Sequence, residues 1–185
     1  MEFLPDFKLG WLNGWLLLAL LVLTDGILFL VFRKGVVTRL FNRSGWTRQQ
    51  KVLTILGKLL ALAVVIMIIF TPLKLGSSAF IVGLGLVVLG LIALVKALID
   101  FRNTPPNLPA THGIYSFTRH PQNLASSVVI LGCTIAIGSW FALITFVIAR
   151  IFLHTNLVAE EEVCLREYGQ IYRDYMICVP RYLFF

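Results

Sequence analysis

Long apolar runs separated by short polar breaks organise this chain, and their spacing predicts five membrane helices. A run needs about 20 apolar residues to cross a bilayer as a helix. The first, about 11–32, follows a short amphipathic lead-in at 1–10 and opens on Trp11 and Trp15, aromatics suited to a membrane interface. The second, about 52–73, has Lys58 near its start, within snorkelling reach of the interface, and Pro72 at its far end. Leu73 to Ser78 turn into the third run, about 79–99, whose Gly83, Gly85 and Gly90 allow close helix contact. Two more runs, 124–138 and 139–155, are divided by a tight Gly138-Ser139-Trp140 turn. The fourth is short for a span, so its start takes in part of the preceding loop or the helix tilts. The fifth continues through Asn156 and Glu160 to about Glu167, leaving the bilayer as it goes. Tyr168-Gly169 breaks it, 170–177 form one further short helix, and the apolar, aromatic stretch from Val179 to Phe185 is suited to lying back on the bundle.

Composition narrows the class. Of 185 residues, 58% are hydrophobic and 14% charged, against roughly 25% charged in soluble domains. So little charge cannot cover a soluble surface, and the expected class is an all-α integral membrane protein. The net charge of +7 then reads as topology signalling and contact with anionic lipid, not as a nucleic-acid footprint. Cys133, Cys164 and Cys178 are odd in number, scattered and outside any Cys-x-x-Cys pair, so neither a disulfide framework nor a metal site is expected. Glu2 and Asp6 stand where a signal peptide carries basic residues, and no A-x-A site closes the run, so no cleaved leader is expected.

The breaks set the orientation. Arg33, Lys34, Arg39, Arg43, Arg48 and Lys51 fill the first break, 33–51, with no acid among them, and Phe41 and Trp46 suit an interfacial helix there. With Arg102, Arg119, Arg166, Arg173 and Arg181, eleven basic residues fall on one side, and two, Lys8 and Lys74, on the other. The positive-inside rule places the richer side, with the C-terminus, in the cytoplasm. The expected organisation is a single membrane domain, 1–185, with three spans in 1–99 and a catalytic half in 100–185. Asp25 lies beside Gly26 inside the first run, where an acid is costly and faces the bundle interior or water. A helix–helix hydrogen bond explains it most simply; a polar contact in a substrate channel is the other reading.

The second break, Asp100 to Gln122, is too specific in content for a linker. Lys96 and Asp100 are four apart and can pair on one helix face. Pro105, Pro106 and Pro109 force extended backbone, and Gly113 permits an unusual turn. The last two spans go out and come back. Residues just before the fourth, Arg119-His120-Pro121, must therefore lie near those just after the fifth, Glu160-Glu161-Glu162. Singly, each cluster is ordinary: interfacial anchors, and a solvated helix face. Together they make one candidate small-molecule site at the membrane surface. Helical spacing puts Asn156 and Glu160 on one stripe, and Arg150, His154 and Glu161 on the adjoining one. Arg150 and His154 are not expected to face lipid.

Gly113-Ile114-Tyr115, Arg119-His120-Pro121, Trp140 twenty residues past His120, Glu160-Glu161-Glu162, Tyr168-Gly169, Tyr172 and Tyr175 together resemble the isoprenylcysteine carboxyl methyltransferase and phospholipid methyltransferase superfamily, over roughly residues 100–182. The resemblance implies S-adenosyl-L-methionine as cofactor, held in a cytoplasmic-side pocket formed by the loop before helix 4 and the extended C-terminal helix. The Gly-x-Gly-x-x-Gly motif of soluble methyltransferases is absent, in agreement. The resemblance implies cofactor contacts at Asn107, Leu108, Pro109 and Ala110, then at Tyr115, His120, Pro121, Gln122, Asn123 and Glu160, with a substrate contact at Asn156. Three places depart from the family pattern. Asn107 to Ala110 replace a His-x-Leu-Val type segment, Asn123 stands where Tyr is usual, and Asn156 stands where prenylcysteine members place an Arg for the substrate carboxylate. A neutral amide cannot supply that charge-assisted fork, which weakens the case for a prenylcysteine carboxylate; Arg150 or the basic loop are the cations left to replace it.

The implied reaction is direct methyl transfer to a membrane-embedded, lipid-like acceptor, of the isoprenylcysteine carboxylate or phospholipid amine type. With a sulfonium donor the protein mostly aligns the reactants. A carboxylate or thiolate acceptor needs no strong base; an amine needs one, for which Glu161 and His154 are nearest. The cofactor enters from the cytosol and the lipid-like or prenylated acceptor from the surrounding membrane lipids. Two other readings stay open. NADPH-dependent sterol and steroid reductases resemble the same half, and Cys164 before Gly169 and the Val179-Pro180-Arg181-Tyr182 ending lean that way. A non-catalytic membrane scaffold of the same fold would tolerate Asn123 and Asn156.

Overall fold

The computed structural model describes residues 1–32, 35, 36 and 45–183, and among these it holds six α-helices and no strand. They are α1 (Trp15–Val31), α2 (Arg48–Phe70), α3 (Ser78–Asn103), α4 (Pro121–Ala136), α5 (Trp140–Tyr168) and α6 (Gln170–Cys178), with a 3-10 turn at Gly113–Ser116. Helices α2, α3 and α5 are long and apolar enough to cross a membrane; α1 and α4 are shorter apolar helices. This is an all-α integral membrane protein with the five apolar helices the pattern predicts. Arg33, Lys34, Arg39, Phe41, Arg43, Phe184 and Phe185, named above, lie outside the described residues.

Alternate ends of the helices gather together. Gly14 N donates to Thr71 O at 3.0 Å, Glu2 N to Gly138 O at 2.7 Å and Lys74 N to Ala136 O at 3.1 Å, joining the N-terminal segment to the turns after α2 and α4. This is why α1 begins at Trp15 and not near residue 11. The backbone ahead of it is committed to that junction, where Asn13, 1% exposed, donates to Lys8 O and Ile69 O at 2.6 and 3.0 Å.

The interior uses small residues, and large aliphatics face outward. On α3 the buried positions Gly83, Val87, Gly90, Leu94 and Ala97 recur every three or four residues. This stripe meets α4 so closely that a Cβ on Gly83 would stand 2.5 Å from Gly132 O, and one on Gly90 2.9 Å from Val129 N. Lipid tails give helices no hydrophobic reason to associate, so close van der Waals approach through small residues takes that role. Gly57 of α2 does the same against Leu153 of α5. Gly85, expected to join Gly83 and Gly90, does not: it meets open space, on the outer stripe of the exposed Val82, Leu89 and Ile92.

Two helix ends differ from the pattern and position the site. Helix α3 runs past Asp100 to Asn103 and stops where Pro105 forces Thr104 into extended backbone. Helix α4 begins at Pro121, so the short fourth span does take in the end of the loop; proline suits the first helical position because its missing N–H would be unpaired there anyway. Helix α5 has 29 residues, about 44 Å at 1.5 Å per residue. That exceeds the roughly 30 Å hydrocarbon core, so its last third extends beyond the apolar stretch, until Gly169, at φ +58, ends it.

Candidate active site

The loop ahead of α4 is held from three sides. Asp100, paired with Lys96 one turn back, accepts from Ile114 N at 2.9 Å. Gly113 adopts φ +64, and a Cβ there would overlap the Asp100 carboxylate, so both backbone and space require glycine. The buried Tyr115 follows. Its hydroxyl accepts from Gln122 Nε2 at 2.7 Å, and its carbonyl accepts from the Tyr175 hydroxyl of α6 at 2.7 Å. The segment after α6 then lies along the loop, as its apolar character suggests: Arg119 N donates to Pro180 O at 3.0 Å and Thr118 Oγ1 to Arg181 O at 2.8 Å.

Glu161, 2% exposed, sits at the centre. Its Oε1 accepts from Arg181 Nε at 3.0 Å, its Oε2 from Arg181 Nη2 at 2.6 Å, and Arg119 Nη1 lies 3.3 Å away. Burial pushes the pKa of this carboxyl up, but hydrogen bonds from His120 and Arg181 and the charge of Arg119 outweigh it and hold it at about 2. His120 Nε2 stands 3.1 Å from Glu161 Oε1. An ionised carboxylate only accepts, so that ring nitrogen carries the hydrogen. The other nitrogen, Nδ1, lies 3.6 Å from Glu160 Oε2. Glu160 Oε1 accepts from Asn156 Nδ2 at 2.7 Å, while Glu162 Oε2 takes Gln50 Nε2 of α2 at 2.9 Å. Glu160 and Glu161 thus share His120 between them, while Glu162 turns to α2.

Two cavities open around this network. A cleft of about 150 Å³ is lined by the loop from Pro109, by His120 to Asn123, by Glu160 and Glu167, and by Tyr115, Tyr168, Tyr172 and Tyr175. A larger cavity of about 500 Å³ lies among the five apolar helices, with Phe29, Val64, Leu98 and Phe146 in its walls beside Asp25, Ser126, Ser127, Arg150 and Asn156. Gln122, Asn123 and Glu160 line both, so the two spaces lie on either side of a common wall.

Most residues singled out in the sequence fall on these walls. Pro109, Ala110, Tyr115, His120, Pro121, Gln122, Asn123 and Glu160 line the cleft. Asn107 and Leu108 do not: the turn closed by Leu108 N to Pro105 O, 3.2 Å, throws both outward, and Leu108 is 44% exposed. Arg150 and Asn156 line the larger cavity, where Arg150 Nη2 donates to Asn123 Oδ1. His154 and Glu161 line neither space. His154 Nδ1 is 2.7 Å from the Tyr182 hydroxyl, and both oxygens of Glu161 are taken by cationic donors. Asp25 makes no helix–helix hydrogen bond among the described residues and lines the larger cavity instead.

In the sequence Arg119 belongs to the loop cluster and Arg181 to the charges of the richer side, with nothing to pair either of them with Glu161. The burial of that acid, which requires positive partners wherever they lie in the chain, is visible only in the structure. The buried polar atoms without a partner among the described residues include two at this site, Arg119 Nε and Asn156 Oδ1.

A family model described as phospholipid methyltransferase matches residues 73–171, more than half of the chain, taking in α3, the loop, α4 and α5. No curated protein and no solved structure matches the chain.

Proposed function

The chain belongs to the phospholipid methyltransferase family, and we propose that it moves a methyl group from S-adenosylmethionine to a lipid-borne acceptor at the cytoplasmic face of the membrane. The observation that carries this reading is the wall of Gln122, Asn123 and Glu160 shared by the polar cleft and the cavity among the helices. A water-soluble donor and a membrane-soluble acceptor need separate entrances and one meeting place, and this wall supports both requirements. The basic residues at the cleft end, Arg102, Arg119, Arg166, Arg173 and Arg181, against Lys8 and Lys74 at the other, favour the cytoplasmic side.

The cleft residues fit a cationic nucleoside. Tyr115, Tyr172 and Tyr175 offer aromatic faces to a base, Glu160 and Glu167 offer carboxylates to hydroxyls or a positive centre, and the partnerless Arg119 Nε offers a donor. When bound, S-adenosylmethionine would supply an electrophilic methyl on a positively charged sulfur, with a neutral thioether as its leaving group. The chain's own part is alignment. Glu161 acts as a positioning residue: it presents the Nε2 face of His120 to itself and turns Nδ1 toward Glu160 and the shared wall. With a pKa of about 2 and both oxygens already hydrogen-bonded, it is too weak a base for the proton-accepting role that the sequence suggests, and in this reading it only positions. Residues 100–185 form the catalytic half in this reading, and α1 to α3 complete the acceptor cavity.

The test is equilibrium binding of labelled S-adenosylmethionine and of NADPH to the purified protein, followed by transfer of label into a lipid extract. S-adenosylmethionine is expected to bind, NADPH not to, and label to enter the lipid fraction. Glu160→Ala and His120→Ala are expected to lose donor binding while the bundle stays folded. Binding of NADPH instead, as in a reductase, or of neither, as in a scaffold, overturns the proposal.

A further inference from the structure

Two charges inside the bundle lack a counter-charge among the described residues. Asp25 of α1 makes neither a hydrogen bond nor an ion pair there. Arg150 of α5 donates to the neutral Asn123 Oδ1, makes no ion pair, and keeps further guanidinium donors in hand. Uncompensated charge within the membrane is unfavourable and survives where it faces water, a partner or a ligand. Both residues line the larger cavity. They also lie at one depth. Each stands ten residues into its helix, from Trp15 and from Trp140, and both helices start at the same end of the bundle, where Trp140 N donates to Glu2 O. Each is therefore about 15 Å in from that end.

A third group adds to the pattern. Asn156 Oδ1 is buried without a donor, because Asn156 Nδ2 is committed to Glu160 Oε1 at 2.7 Å. The reverse amide orientation would set oxygen against a carboxylate oxygen. The cavity thus offers two unanswered acceptors, Asp25 and Asn156, and one unanswered cation, in walls otherwise lined by side chains such as Phe29 and Phe146. A carboxylate amphiphile would satisfy Arg150 but leave Asp25 facing a like charge. An amphiphile with both an anionic group and a positive nitrogen satisfies all three.

We propose that Asp25 is the residue that selects the acceptor by charge, so that the cavity takes a zwitterionic headgroup with its positive nitrogen toward Asp25 and its anionic group toward Arg150. Asp25 precedes the family-matched residues 73–171, so this selection belongs to the chain's own first helix. Describing the ligand as a methyl acceptor rests on the function proposed above; its binding does not.

The test compares three probes of one alkyl chain length, a phosphoethanolamine, a primary amine and a carboxylate, by equilibrium binding to the full chain in detergent. Wild-type protein is expected to bind the phosphoethanolamine most tightly. Asp25→Asn is expected to weaken the phosphoethanolamine and the amine by about tenfold or more, as loss of one partner of a desolvated charge pair does. The carboxylate should bind as well or better, and Asp25→Glu should recover much of the loss. Equal weakening of all three probes, or no change for the phosphoethanolamine, overturns the proposal. Labelled S-adenosylmethionine is titrated alongside. Its failure to bind wild-type protein removes the methyltransferase reading and leaves the probe result to be judged by itself.

Discussion

Arg181 holds Glu161 with two hydrogen bonds, Nε to Oε1 at 3.0 Å and Nη2 to Oε2 at 2.6 Å. The pair ties the segment after α6 to the extension of α5, and Arg119 and His120 gather on the same carboxylate. Replacing the acid by Glu161→Gln leaves two arginines without their counter-charge. A loss on the order of 3 kcal/mol is expected, the usual consequence of removing one partner of a buried pair. It should appear as a lower thermal midpoint in detergent and as faster proteolysis of residues 179–183. Arg181→Lys keeps the charge but loses the planar two-bond fork, and should fall between wild type and Glu161→Gln.

The same carboxylate sets an acid limit. Its pKa is about 2 in the folded protein, against about 4.3 for a glutamate in an unfolded chain. A carboxyl with a lowered folded pKa contributes stability that is complete above the unfolded value and is lost as pH falls through the folded one. Midpoints measured from neutral pH downward should therefore hold until about pH 4.3 and decline toward about pH 2. Glu161→Gln should flatten that part of the curve; a decline of the same size in the variant would show that another group is responsible.

Close contact between α3 and α4 rests on particular glycines. Gly83→Leu drives a side chain into Gly132 O and Ala136, and the overpacking is expected to cost about 1–3 kcal/mol or more. Gly85→Ala meets open space and exchanges a poor helix former for a good one, so its effect should stay within about 1 kcal/mol and be stabilising. Thermal unfolding of the two variants in one detergent checks the contrast.

Gly113 couples the end of α3 to the cleft. Gly113→Ala puts a Cβ against the Asp100 carboxylate at a backbone angle that side chains avoid, at about 1–3 kcal/mol of strain. Because the turn carries Tyr115, donor binding is expected to weaken more than global stability falls. Titration of labelled S-adenosylmethionine beside a thermal melt separates the two effects.

The five apolar helices are legible in the sequence because runs of that length and composition have no soluble alternative. Their ends are less so: the distant Thr71 holds the backbone ahead of Trp15, while α3 outlasts its apolar run and continues to Asn103, just before Pro105. The meeting of His120 with Glu160 and Glu161 follows from out-and-back connectivity alone, and the structure brings them to 3.6 and 3.1 Å. Which glutamate does what does not follow. Successive helical residues point about 100° apart, and only the packing of α2 and the loop decides that Glu162 meets Gln50, Glu160 lines the cleft and Glu161 is enclosed. Asn107 and Leu108 lie away from the cleft for a related reason, because a turn that closes on Pro105 cannot be read from a motif offset.

Arg181 and Tyr182 come after α6, the last of the described helices, yet they reach back to Glu161 and His154. Chains are made and inserted from the N-terminal end. All five apolar helices therefore enter the bilayer while the central carboxylate still lacks its main counter-ion. Biogenesis thus finishes with a latch: a bundle stalled on the ribosome, or clipped near Val179, keeps its transmembrane frame but leaves the cleft end unfastened.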